Sequence, residues 1–98
     1  MLAPTISIDV QGLWDNWQRS QRDDNIKLSK VTAYRLLIRQ GSAPPPITFE
    51  NIVFVDGLAR IRTADGRHRI TAAHLEGMAT IQADDTDLAR AIKDMFNL

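Results

Sequence analysis

Residues 65–69, Asp-Gly-Arg-His-Arg, set a carboxylate, a glycine and three basic side chains side by side. Neighbouring charges of one sign repel, so Arg67, His68 and Arg69 are either solvated or arranged to meet an anion. Thr63 is expected to end a strand, Asp65 and Gly66 to turn the chain, and Arg67 to begin a helix. On that layout the basic run sits at a helix N-terminus, where free backbone N–H groups and the dipole already favour negative charge. Cations there are otherwise unfavourable by some tenths of a kcal/mol each, a penalty that a bound anion reverses. Gly66 allows a phosphate close to the main chain. A guanidinium grips two of its oxygens at once.

Arg60 and Arg62 stand on the preceding strand and are expected nearby. Asp65 is the candidate base or magnesium contact, with helix capping as its rival role. The competing reading of the whole stretch is that Asp65 caps the helix while Arg67 and His68 point to water. Removing Arg69 is expected to abolish anion binding without loss of stability, provided that its side chain faces solvent.

Other chemistries find less support. The chain has no cysteine, which excludes disulfides, thiolate zinc sites and cysteine nucleophiles. His74 lies six residues past His68, a spacing that does not place the two side by side on a helix. The acids Asp9, Glu50, Asp56, Asp65 and Glu76 show no metal-ligand spacing, so no metal site is predicted. Trp14 and Trp17 could stack on a base, but such a pair is usually core or a docking patch.

The elements that must position the basic run are readable in order. "TISIDV" alternates, with Ile6, Ile8 and Val10 on one face of a strand. "GLWDNWQRSQRDD" suggests a helix with Leu13, Trp14 and Trp17 as its stripe, fraying near Asp23 and Asp24. "SKVTAYRLLIRQG" predicts a helix capped by Ser29, burying Val31, Tyr34, Leu37 and Ile38, and stopped at Gly41. Prolines 44–46 enforce an extended passage that delivers Ile47 in a β conformation.

"ITFENIVFVDG" and "LARIRTADG" predict a hairpin turning at Asp56 and Gly57. Its second strand puts Arg60 and Arg62 on one face and Ile61 and Thr63 on the other. "RHRITAAHLEG" is a helix with Ile70, Ala73 and Leu75 inward, ending at Gly77. "MATIQA" is a strand. "DDTDLARAIKDMFNL" is a closing helix with Leu88, Ala91, Ile92, Met95 and Phe96 as its stripe, acids early and Lys93 late. The class is α+β, a small mixed sheet with packed helices.

Ninety-eight residues fit one domain, 1–98, with 44% hydrophobic and 24% charged residues. Twelve basic residues balance twelve acidic ones, which argues against sequence-independent DNA binding. No apolar run is long enough to span a membrane, and the N-terminus carries no secretory pattern, so the cytoplasm is the expected location.

"VDGLARIRTADGRHRITAAHLEGMATIQA", with "LLIRQGSAPPPI" upstream, resembles the core of the ParB N-terminal domain and sulfiredoxin superfamily over residues 26–83. The resemblance rests on a helix ending in Gly, a Pro-Pro-Ile lead into a strand, a hairpin, and a Gly-x-His-Arg motif followed by small residues. It implies that the motif binds the phosphates of a nucleotide, CTP or ATP with magnesium, through Gly66, His68 and Arg69. Ala72 and Ala73 match the small residues behind them. The variable position, which holds the reactive cysteine in sulfiredoxins, is Arg67 here, so sulfiredoxin chemistry is not expected.

Any reaction would be magnesium-assisted phosphoryl transfer or hydrolysis. The chain reaches Leu98 without the helix-turn-helix and dimerisation domains of full partition proteins, so DNA segregation by this polypeptide alone is not expected. The alternative is a non-enzymatic phage or mobile-element factor that keeps the fold to bind a protein partner or a second copy. DNA binding is the weaker alternative, with no recognition helix to support it.

Overall fold

Asp9 decides how the domain begins. In the computed structural model, which describes residues 3–19, 21 and 26–98, β1 (Thr5–Asp9) gives way directly to α1 (Val10–Asn16). The Asp9 carboxylate accepts the Gly12 N–H at 2.7 Å and caps that helix. Val10 is therefore the first helical residue and not the end of the strand, although it is buried as expected. α1 stops at Asn16. Leu13 and Trp17 are buried, and Trp17 is already extended, bridged to Ile61. The predicted fraying near Asp23 and Asp24 lies outside the described residues.

α2 (Leu28–Arg39) starts earlier than Ser29, with Lys27 at the N-cap position and no side-chain cap. Only Val31 of its predicted stripe is fully buried; Tyr34 and Ile38 are half-buried and Leu37 is exposed. Among the described residues the helix packs chiefly against the helix that follows the hairpin, so a narrower stripe suffices. Gly41 follows with φ +84°, the left-handed stop that the sequence predicts.

The prolines deliver Ile47 fully buried and extended, bridged in parallel to Ala83. β2 (Thr48–Val55) and β3 (Leu58–Asp65) form the predicted hairpin. Asp56 at φ +52° and Gly57 at φ +78° give the turn the two positive φ angles of type I′. Along β3, Ile61 and Thr63 are buried while Arg60 and Arg62 lie half-buried on the other face, as the alternation requires.

α3 (Arg67–Leu75) buries Ile70, Ala72 and Ala73, but Leu75 points outward. β4 (Thr80–Asp84) pairs antiparallel with β1, Ile81 opposite Ile8. α4 (Asp87–Met95) is capped by Thr86, whose hydroxyl accepts the Ala89 N–H at 3.0 Å. Ala89 and Ile92 are its buried residues; Leu88 and Phe96 are half-buried, and Ala91 and Met95 are exposed.

Two antiparallel pairs, β1–β4 and β2–β3, thus meet through the parallel bridge at Ile47, an α+β arrangement of mixed direction. One core runs through Ile8, Leu13, Trp17, Ile47, Ile61, Ile70, Ile81 and Ile92.

Glu76, just past α3, fastens α2 to it. Its nearly buried carboxylate pairs with Arg35 at 3.2 Å and with Arg39. The hydrogen bond from Arg39 holds the Glu76 carboxyl below its ordinary range. A depressed folded pKa stabilises above the unfolded value of about 4.3 and is lost as pH falls through the lower folded value. Acid unfolding monitored by circular dichroism should therefore show a shallower loss of stability below about pH 4.3 in Glu76→Gln than in the wild type.

Candidate anion-binding cleft

The basic run takes its shape from Gly66, the N-cap residue of α3, at φ +119° and ψ 5°. A Cβ here would lie 2.4 Å from Ile47 Cγ2 and 2.7 Å from Ile47 Cβ. Glycine is thus required by close packing against the residue that opens β2, in addition to its left-handed backbone. No side chain caps α3, so its first-turn N–H groups are left without that partner. Asp65 does not take the capping role that rivalled its reading as a base or magnesium contact: its carboxylate, largely exposed, accepts Arg69 Nη2 at 2.7 Å.

A cleft of about 350 Å³ opens in front of this turn, between the start of α2, the end of β3 and the start of α3. Arg62, Asp65, Gly66, Arg67 and His68 line it, so five of the predicted site residues converge. A second cleft of about 280 Å³ lies beside it, walled by Ala33, Tyr34 and Arg69 and sharing Lys30, Asp65, Gly66 and His68 with the first.

The side chains in the cleft differ in how far they are committed. Arg62 pairs with Glu50 at 3.3 Å. His68 Nε2 accepts the Lys27 N–H at 3.0 Å, which puts the proton of a neutral ring on Nδ1. Arg67 and Lys30 make no side-chain hydrogen bond or ion pair among the described residues. The two carboxylates at the rim, Glu50 and Asp65, are each matched by an arginine, Arg62 and Arg69. Among the described residues the charge left over is positive, and it sits on Lys30 and Arg67.

Two predicted residues are placed differently. Arg69 faces inward, 6% exposed, and its Nη1 donates to the carbonyls of Pro45 at 3.1 Å and Pro46 at 2.6 Å. It clamps the proline passage to the motif, so the condition on which removing Arg69 would spare stability, a solvent-facing side chain, is not met. Arg60 lies outside the cleft and donates from Nη1 to the Asp15 carbonyl at 3.2 Å. Its position two residues nearer the hairpin tip brings it to the end of α1.

Lys30 was not foreseen at the site. Its only trace in the sequence is a basic stretch, residues 26–49, that holds no acid. Gln21 was also missed: its buried amide accepts the Thr63 N–H at 2.7 Å and donates to the Thr63 carbonyl at 2.8 Å, pairing with β3 as a neighbouring strand would. Trp14 and Trp17 lie away from the cleft. Trp17 is core, and Trp14 stacks on His74 with ring centroids 4.0 Å apart. Among the described residues no cluster of three or more His, Asp or Glu side chains is arranged to hold a metal ion. No helix there is long and apolar enough to cross a membrane.

The fold that holds this turn is sulfiredoxin-like. It is similar to the crystal structure of sulfiredoxin from Arabidopsis thaliana, with a TM-score of 0.55 and 20% identity over 97% of this chain and 99% of that one. No protein-family model matches the chain, and no curated protein does so either.

Proposed function

We propose that the cleft binds a phosphate-bearing ligand, with a nucleotide as the best fit. The observation that carries this is the pair Lys30 and Arg67, two cations that have no side-chain partner among the described residues and face the uncapped start of α3. Phosphate oxygens would take the first-turn N–H groups of α3, and the two side chains would supply charge-assisted donors. The neighbouring cleft, with Ala33 and Tyr34 on its wall, would receive the less polar part of the ligand. Glu50 and Asp65 are already paired with arginines, so magnesium would arrive on the nucleotide's own phosphates. This is a function of binding; magnesium-assisted phosphoryl transfer or hydrolysis would need a further group to activate the attacking oxygen.

The test is a thermal-shift panel of CTP, ATP, GTP, ADP and inorganic phosphate, each with and without magnesium, on the wild type and on Arg67→Ala. A ligand at 100 times its dissociation constant adds about 2.7 kcal/mol, which is several degrees or more for a domain of this size. Arg67→Ala should weaken the responding ligand tenfold or more, corresponding to the loss of about 1.4 kcal/mol or more from a charge-assisted contact. Unchanged midpoints across the panel would instead favour a fold kept for binding another protein.

A further inference from the structure

We propose that the free edge of β2 is a self-docking strand through which two copies of this chain pair. Two features of the hairpin and one of the whole chain point there. First, among the described residues β3 alone pairs with residues 49–55; the bridge to β4 ends at Ile47. The type I′ turn closes through the Val55 carbonyl and the Leu58 N–H. Backbone groups of an antiparallel ladder alternate inward and outward, so Ile52 and Phe54 aim theirs away from β3, toward the open edge.

Second, that edge lacks the usual protection. Strands at sheet edges are commonly blunted by lysine, proline or a bulge. β2 contains no cation and no proline. Its register irregularities fall between Thr48 and Asn51, and the ladder from Asn51 to Val55 is regular. Apolar surface accompanies the open backbone, with Phe54 76% exposed on one face and Leu58 57% exposed on the other.

Third, the formal net charge is zero at pH 7, so no overall repulsion keeps two copies apart. A second copy offers the same unpaired strand, and antiparallel pairing of β2 with itself is two-fold symmetric and closed, joining two hairpins into one four-stranded sheet. The phosphate cleft lies at the other end of β3, beside Asp65, so this surface and the proposed ligand site are separable.

Sedimentation velocity on the whole chain tests this, from micromolar to millimolar concentration. The mass should rise from 11.0 kDa toward twice that value, and Phe54→Lys should hold the protein at the monomer mass with an unchanged circular dichroism spectrum. A wild type that stays at the monomer mass throughout, or a dimer indifferent to Phe54→Lys, overturns the proposal. Hydrogen exchange on the wild type at low and high concentration gives a readout that needs no variant. The Ile52 and Phe54 amides should be protected only at high concentration; equal exchange at both overturns it.

Discussion

Arg69→Ala is expected to lower the thermal midpoint by roughly 10–20 °C, the equivalent of about 2–4 kcal/mol for a domain of this size. Hydrogen bonds to a charged group contribute about 1.5–3 kcal/mol each when protected from water. Arg69 makes two to proline carbonyls and an ion pair to Asp65. The sum is discounted because Asp65 is 81% exposed and water screens that pair. Arg69→Lys should recover only part of the loss, since one ammonium cannot span both carbonyls and the carboxylate. Unfolding by heat and by denaturant measures both variants. A shift for Arg69→Ala within a degree or two would mean that the clamp is not structural.

Gly66→Ala should be as damaging by another route. At φ +119° an L-residue is strained by roughly 1–3 kcal/mol. Its Cβ would also press into Ile47, a fully buried residue, and overpacking of that kind costs about 1–3 kcal/mol more. Pairing it with Ile47→Ala separates the two terms. The double variant should lose the steric part of the coupling and keep the backbone part, read from chemical denaturation of all four proteins as a double-mutant cycle.

These two residues also show how far the sequence could be read. The element order, the Asp56-Gly57 turn and the alternation along β3 were legible because each rests on local chemistry. The Asp65-Gly66 turn leading into a helix was legible for the same reason. What side chains do at the site was less so, because charge pattern does not say which cation faces inward.

For Arg69 a signal existed. On a helix it shares a face with Ala72 and Ala73, at i+3 and i+4, and both are buried. Arg67 lies on a different face and stays uncommitted. Lys30 had no comparable signal. It reaches the cleft through the packing of α2 on α3, a contact across dozens of residues that no local period encodes. Ser29 as a cap failed because a good capping residue does not by itself decide where a helix starts, and α2 begins one residue before it, at Leu28.

The central claim, that the turn before α3 and the cations beside it form an anion site, is tested most directly by an NMR titration of amide resonances with CTP, ATP and inorganic phosphate. Saturable shifts of the Gly66, Arg67 and His68 amides, joined by Lys30 and lost in Arg67→Ala, are the predicted result. Amides that stay fixed there at millimolar ligand, or that shift only elsewhere on the domain, would contradict it.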